Sequence, residues 1–353
     1  MAPGCFALSE SLSLGAGTRL ITVRLVATRY LAANARTCAE VTLAKRNLTD
    51  SLDQREAEPS FLAARARDNV LFSDHPYHVT FPTRDSIAAA TSADLREVFA
   101  QRFRPDQVIL IAAGDFQNDK ILATLKAALG SWKAPANPPV APISSPSAQT
   151  EHAVYIVPRP GSVQTTIELV TLGPKLGDPD FEVTQVANAI YGGTFGSRLT
   201  SNIREDKGYT YSPFARLASY QKAAEMISHA DVRNEVTAPT LNEMEYELNR
   251  MATTTPTSEE LSKAKRYLVG LEALRLQDRA SLASRLATLW SAGLQPDQIG
   301  ISGQKVSATT AADVDAVAKK YFPAHRSAII AVGEEKVIRE ALSPFGLQVH
   351  TVQ

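Results

Sequence analysis

This sequence is poor in cysteine, and it lacks both a long hydrophobic run and a dominant sign of charge. Its 353 residues contain two cysteines, Cys5 and Cys38, which excludes a framework of several disulfides and leaves room for a single bridge. No apolar segment approaches the roughly 20 residues that a membrane-spanning helix needs, so no span is predicted. Basic and acidic residues number 37 each, and this balance argues against nucleic acid as a partner.

An export signal is not predicted either. The nearest candidate is the segment from Leu20 to Ala33, which Arg24 and Arg29 interrupt. A signal peptide needs an uninterrupted apolar core followed by a small-residue cleavage site, and neither is found here.

The chain contains an internal repeat whose first copy is shorter than its second. At an offset of 220, the segments AKRNL at 44–48 and LAAR at 62–65 match AKRYL at 264–268 and LASR at 282–285. At an offset of 219, Asp94, Phe103 and Gly114 match Asp313, Phe322 and Gly333. Matches in register over this length predict a duplicated domain. The first copy has no counterpart of 151–219, so we expect its front to be missing.

The repeat and the proline distribution predict four segments. They are a poorly defined front at 1–38, a truncated first domain at 39–133, a linker with five prolines at 134–150, and a second domain at 151–353. The predicted fold class is α+β, with a mixed or antiparallel sheet and packed helices in each domain. Within the first domain, the apolar run Val108–Ala113 predicts a buried strand. In the second, alternation from Tyr209 predicts another.

Local signals predict two further features of the second domain. Gly208 follows the end of a predicted helix and is expected in the left-handed conformation, which glycine adopts without steric cost. The closing part of the chain is predicted to form a helix at 311–321, a strand at 327–332 and a helix at 335–342.

Two neighbouring motifs carry a family resemblance. They are GGTFGSRL at 192–199 and IREDKGYTYS at 203–212, and HPY at 75–77 and GDF at 114–116 add weaker matches in the first copy. The chain resembles the insulinase/pitrilysin family of zinc metallopeptidases, particularly the shorter bacterial members related to mitochondrial processing peptidase. The resemblance implies a clamshell of two similar domains around a peptide-binding chamber, with zinc held on an inverted His-x-x-Glu-His helix of the first domain. It also implies the periplasm as a compartment.

Arg204 and Tyr211 match the substrate-holding pair that the family carries in its C-terminal domain. A guanidinium can donate hydrogen bonds to a peptide carbonyl, and a phenol can donate to a developing oxyanion. By residue type alone the alternative is structural, because a helix-end arginine often bonds nearby carbonyls and a strand tyrosine usually packs. The complete motif favours the functional interpretation.

The zinc motif of the family is absent from this sequence. No two of the six histidines stand four apart around a glutamate. The position aligned with the third zinc ligand holds Ser51, next to Asp50. His75 and His78 could in principle share a metal, but Pro76 prevents a regular helix between them and predicts a loop instead. We therefore predict no metal ligand and no cofactor in this chain, with zinc on a partner or on a missing N-terminal segment.

These observations predict a non-catalytic, peptide-holding subunit or fragment of an insulinase-family zinc peptidase, inactive alone. Its expected partners are a peptide or unfolded protein and a subunit bearing His-x-x-Glu-His. One alternative is an inactive scaffold or assembly protein of the same fold. Another is the truncated product of a gene for an active zinc peptidase.

Overall fold

The computed structural model describes residues 38–136, 143–146 and 151–352, which form two compact units. The first unit comprises the described residues of 38–57, 79–110 and 116–136, and the second comprises 58–78, 111–115 and the described residues from 143 onward. The predicted front segment, up to residue 37, and most of the predicted linker lie outside the described residues.

The second unit is built on one six-stranded sheet in the order β3-β4-β2-β5-β1-β6. Its strands are β1 Val154–Pro158, β2 Gln164–Gly173, β3 Phe214–Ser219, β4 Ala224–Arg233, β5 Ala328–Gly333 and β6 Val349–Thr351. Strand β1 pairs in parallel with β5 and β6, and the remaining pairs are antiparallel. This mixed sheet with packed helices confirms the predicted fold class. All six residues of β5 are buried, which is typical of a central strand covered on both faces.

Helices cover one face of this sheet and form the larger core. They are α6 Phe181–Tyr191, α7 Arg198–Thr200, α8 Thr237–Thr253, α9 Ser258–Arg275, α10 Arg279–Ser291, α11 Gln298–Ala308, α12 Ala311–Tyr321 and α13 Glu335–Leu342. Side chains such as Val186, Leu241 and Val314 meet Ile167 and Leu169 of β2 in that core. Residues two apart on a strand share a face, which is why these two β2 side chains point the same way.

A helix from early in the chain covers the opposite face. Helix α2 (Pro59–Phe72) begins with proline at its first turn, where the missing N–H costs nothing. Its Leu62 and Ala66 form a second core with Val170 of β2 and Ile330 of β5. Residues 58–78 thus belong to the same compact unit as the sheet, whereas the predicted boundaries place them in a first domain at 39–133.

Arg67 of α2 ties this helix to the sheet. Its side chain is 4% exposed and donates to Glu168 of β2 at 2.9 Å and to Glu225 of β4 at 3.0 Å. A buried guanidinium is tolerated when its donors meet carboxylates in this way.

The described part of the first unit is helical. It contains α1 (Cys38–Glu56), α3 (Arg84–Ala89), α4 (Ser92–Arg102) and α5 (Asn118–Leu129), with no strand. The strand predicted at Val108–Ala113 is therefore wrong: the segment has no regular secondary structure, and its first three side chains are exposed. An apolar run becomes a strand only where neighbouring strands satisfy its backbone, and no described strand pairs with it. That each half carries its own sheet, and that the halves are duplicates, stays a prediction.

None of the described helices has the length and apolar character required to cross a bilayer.

Candidate functional site

The glycine pair after α6 allows a loop to lie directly against β3. A Cβ on Gly192 would come within 2.7 Å of the Cβ of Ala215, and one on Gly193 within 2.9 Å of the side-chain amide nitrogen of Asn188. The backbone N–H of Ala215 donates to the carbonyl of Gly192 at 2.8 Å, which fixes this approach. The glycines of the motif are thus explained by close backbone contact.

The loop leads into α7, which continues as a π-helical turn at Ser201–Asp206. Ser197 caps α7 by accepting from the N–H of Thr200 at 3.4 Å. The turn buries Ile203 completely, whereas the side chain of Arg204 is about a quarter exposed. π-Helical turns are rare overall, and those that occur are often found at functional sites.

Gly208 ends the turn in the left-handed conformation predicted for it, with φ +64°. Its N–H donates to the carbonyl of Arg204 at 3.1 Å, and the N–H of Tyr209 donates to that of Ile203 at 2.9 Å. These bonds reverse the chain, so the residues that follow return past the turn that carries Arg204.

The structure brings Arg204 and Tyr211 together. The guanidinium carbon of Arg204 lies 4.7 Å from the centre of the Tyr211 ring. It also lies 4.5 Å from the centre of the Phe195 ring, which sequence reasoning did not assign to the site. Both rings are largely exposed, Tyr211 at 80% and Phe195 at 68%, so the group is open to a ligand.

Glu205 holds one edge of the same guanidinium. Its carboxylate lies 3.1 Å from Nε of Arg204 and forms an ion pair with it. The two terminal nitrogens of Arg204 and the hydroxyl of Tyr211 are the donors that can serve an external acceptor. The arrangement can therefore hold a carbonyl or carboxylate by hydrogen bonds. The functional role of Arg204 and Tyr211 stays a prediction.

The strand predicted from Tyr209 starts later than expected. Residues 209–213 contain no strand, and β3 begins at Phe214. Pro213 has no N–H to give to a ladder, which places the strand start after it. Strand β3 is an edge of the sheet, paired with β4 and with no other described strand on its outer side.

Behind the start of β3 lies an ionic row, buried at Glu168 and His229 and exposed at Asp231, that sequence reasoning missed. His229 of β4 stands between Phe214 and Glu168 in register. Its ring stacks on Phe214 at 4.6 Å between centroids, and its two nitrogens lie 3.1 Å from Glu168 and 3.2 Å from Asp231. His229 shares its face of β4 with Glu225 and Asp231, and its partners Glu168 and Phe214 come from β2 and β3, so no local pattern predicts its burial.

The charge state of this row follows from its contacts. Burial disfavours the imidazolium of His229, but the hydrogen bonds to Asp231 and Glu168 outweigh that effect and raise its pKa to about 9. Burial likewise disfavours the carboxylate of Glu168, yet His229 and Arg67 hold its pKa below the ordinary value. The row is therefore charged at neutral pH and braces the strand that follows Tyr211.

The residues considered as metal ligands have other roles. His75 Nε2 lies 2.8 Å from the carbonyl of Ser144, and His78 Nδ1 lies 2.8 Å from the carbonyl of His75. Both rings therefore stabilise the predicted loop by hydrogen bonds to backbone carbonyls. Asp50 is exposed and faces Arg46 one helical turn earlier. In the described parts of the chain, no three His, Cys, Asp or Glu side chains converge as a metal site would require.

A polar cavity of about 630 Å³ lies on the other side of the π-helical turn, against α8 and the start of α9. Several of its polar groups bind one another: Arg198 donates twice to Glu260, and Asn202 donates to Glu243 and Glu247. These contacts anchor the turn that presents Arg204.

Comparison with known proteins agrees with the motif. Residues 89–268 match the family model described as the peptidase M16 inactive domain. An uncharacterized zinc protease of Streptomyces coelicolor is 25% identical over 255 residues, covering 67% of this chain and 52% of that protein. A non-peptidase homologue of Helicobacter pylori, YmxG, is 26% identical over 256 residues, covering 70% and 56%. The chain spans about half the length of the curated relatives it matches.

Solved structures share the fold at low identity. A peptidase M16 inactive domain from Pseudomonas fluorescens aligns with TM-score 0.77 at 23% identity, covering 89% of this chain and 77% of that one. A protease from Helicobacter pylori aligns with TM-score 0.78 at 18%, covering 84% and 72%. A chain of complex III2 from Candida albicans aligns with TM-score 0.74 at 18%, covering 89% and 77%. The glycine pair, the arginine turn and this sheet together confirm the resemblance, and the chain belongs to the peptidase M16, or insulinase, family, whose inactive domain it contains.

Proposed function

We propose that this chain is a non-catalytic, peptide-holding subunit or fragment of an insulinase-family zinc peptidase. Arg204 and Tyr211 donate hydrogen bonds to a carbonyl of a bound peptide. The metal, the attacking water and the general base are supplied by a partner chain or by a segment outside this sequence.

The observation that carries the proposal is the convergence of Arg204 and Tyr211 on an exposed surface, 4.7 Å apart, just before an edge strand. An extended peptide can add to the outer side of β3 through backbone hydrogen bonds. Such a peptide would run past the two donors, and this supports their use as a clamp on one of its carbonyls.

The residues of this chain do not fit a zinc site of the family's type. The sequence contains no His-x-x-Glu-His, and the position aligned with the distant ligand is Ser51. A metal polarises a carbonyl and activates its bound water independently of the Arg204–Tyr211 clamp. The chain that holds the metal can therefore differ from the chain that carries the clamp. This chain can therefore contribute to peptide hydrolysis by binding the peptide while another chain holds the metal.

A scaffold role is the second candidate, and the likeness to a chain of the Candida albicans complex III2 favours it. The two roles make different demands on the clamp. A scaffold binds its partners without needing Arg204 or Tyr211, whereas a peptide-holding subunit loses its ligand when they are changed.

The test is a fluorescence anisotropy titration with fluorescein-labelled, reduced and carboxymethylated α-lactalbumin, an unfolded polypeptide. Arg204→Ala should weaken binding by about tenfold or more, because hydrogen bonds from a charged donor are lost. Tyr211→Phe should weaken it by roughly two- to tenfold, since only a neutral hydroxyl is removed. Arg233→Ala is the matched control, an exposed arginine of the same unit outside the clamp, and should bind like the unmodified chain.

A second arm adds a chain bearing His-x-x-Glu-His from the same genome and measures cleavage of the same polypeptide. Cleavage should require both chains and should fall with Arg204→Ala. Chelator-sensitive cleavage by this chain alone, or binding unaffected by Arg204→Ala, would contradict the proposal.

A further inference from the structure

We propose that Phe195 is a positioning residue that holds the guanidinium of Arg204 flat, so that its terminal nitrogens meet the ligand edge-on. This inference rests on the proposed peptide-holding role of Arg204 and extends the site to a residue outside the predicted pair of Arg204 and Tyr211.

Among the described residues, the contacts around Arg204 leave the guanidinium one free edge. Its carbon lies over the Phe195 ring at 4.5 Å and over the Tyr211 ring at 4.7 Å, so the group lies against two aromatic faces. Nε faces the carboxylate of Glu205 at 3.1 Å. The edge formed by the two terminal nitrogens remains for an acceptor that lies in the plane of the guanidinium.

The turn that carries Phe195 is held by hydrogen bonds, although the side chain of Phe195 is exposed. The turn that carries it is closed by a hydrogen bond from the N–H of Ser197 to the carbonyl of Thr194 at 3.2 Å. The hydroxyl of Thr194 donates to the carbonyl of Ala189 at the end of α6 at 3.1 Å. A ring that is 68% exposed contributes little to the core, whereas it lies against the guanidinium of Arg204.

Fixing an arginine before a ligand arrives strengthens binding. An arginine side chain loses considerable rotamer freedom when it is immobilised, and a guanidinium already stacked on aromatic rings loses less on binding. The planar fork then favours an acceptor approached in plane, such as the backbone carbonyl of an extended peptide. Removing the ring should therefore weaken the clamp while leaving every hydrogen-bonding group in place.

The experiment compares Phe195→Leu and Phe195→Tyr in the anisotropy titration with labelled, carboxymethylated α-lactalbumin. Phe195→Leu should raise the dissociation constant by about two- to fivefold, the factor expected for one exposed cation–π contact. Phe195→Tyr keeps the ring and should restore binding. Tyr267→Leu removes another half-exposed aromatic ring, on α9, and should have no effect.

A second measurement follows Arg204 without ligand. Stacked on two rings, its Hδ and Hε protons should resonate upfield in the NMR spectrum, and Phe195→Leu should move them toward their ordinary positions with an unchanged thermal midpoint. Normal binding by Phe195→Leu, or equal weakening by Phe195→Leu and Phe195→Tyr, overturns the inference about Phe195. If Arg204→Ala still loses binding in that case, the proposed peptide-holding function stands. Binding unaffected by Arg204→Ala overturns the proposed function as well.

Discussion

Helices α4 and α12 occupy equivalent positions of the sequence repeat, but their side chains lie in different environments. Each begins with the same capping box: Thr91 with Asp94 at α4, and Thr310 with Asp313 at α12. Helix α12 buries Val314, Val317 and Ala318 in the core of the second unit. No side chain of α4 is buried.

This difference separates local from tertiary determinants of structure. Both helices form because the cap satisfies free backbone N–H groups at their start. Stability beyond that comes from burial of an apolar face, which the second unit provides with a sheet covered on both sides. In the described part of the first unit, two apolar side chains are buried, Leu52 and Ile87.

The largest expected effect distinguishes a buried arginine from an exposed one. Arg67→Leu leaves Glu225 buried without a cation and Glu168 with His229 as its remaining cation, so it should lower the free energy of unfolding of the second unit by about 3–5 kcal/mol. Arg84→Leu, in the first unit, removes an exposed arginine that pairs with Asp53 and Glu56 and should barely change the same transition. Urea unfolding followed by far-UV circular dichroism measures both, and equal effects would show that Arg67 is not buried in solution.

Alkaline pH should affect the second unit selectively. The described residues of the first unit contain no histidine, whereas the pKa of His229 is raised to about 9. A raised pKa means that the folded state binds the proton more tightly, so the extra stability is complete below about pH 6.5 and is lost as pH rises through 9.

The size of this pH effect is on the order of 3 kcal/mol, because each pKa unit corresponds to about 1.4 kcal/mol. His229→Asn should remove the slope between pH 6.5 and 9 and should lower stability at pH 6. Urea midpoints measured from pH 6 to 10 test this expectation. An unchanged slope in the variant would mean that another group titrates.

A matched pair of valines gives the smallest effect and the most direct comparison of the two helices. Val317 of α12 is 5% exposed and Val98, at the equivalent place of α4, is 55% exposed. Val317→Ala should cost about 2 kcal/mol, from two buried methyl groups and the cavity they leave. Val98→Ala should stay within about 0.5 kcal/mol. Hydrogen exchange of the two helices provides the readout, and similar costs would show that α4 is buried in solution.

Features set by neighbouring residues were predictable from the sequence. The closing helix–strand–helix was expected at 311–321, 327–332 and 335–342, and the structure has Ala311–Tyr321, Ala328–Gly333 and Glu335–Leu342. The left-handed Gly208 was likewise expected from its place after a helix. Capping, periodicity and glycine conformations act over a few residues, so a sequence displays them directly.

Features set by distant residues were missed. Arg67 meets Glu168 and Glu225, which are 101 and 158 residues away, and no local pattern announces such a pairing. The site was predicted as Arg204 and Tyr211, but Phe195 entered it only through the geometry of the π-helical turn. The apolar run at Val108–Ala113 shows the converse error, since a strand-like composition does not supply a neighbouring strand.

The location of α2 in the chain has a consequence for biosynthesis. This helix is complete at Phe72, whereas β5, against which it packs, ends at Gly333. At a translation rate of roughly 5–20 residues per second, the nascent helix waits tens of seconds for its docking site. During that interval Leu62 and Ala66 lack their neighbours on β5, and Arg67 lacks Glu168 and Glu225 until β2 and β4 have been made. A ribosome stalled before codon 328 would therefore release a polypeptide with this face uncovered, and such a product is a natural client for chaperones.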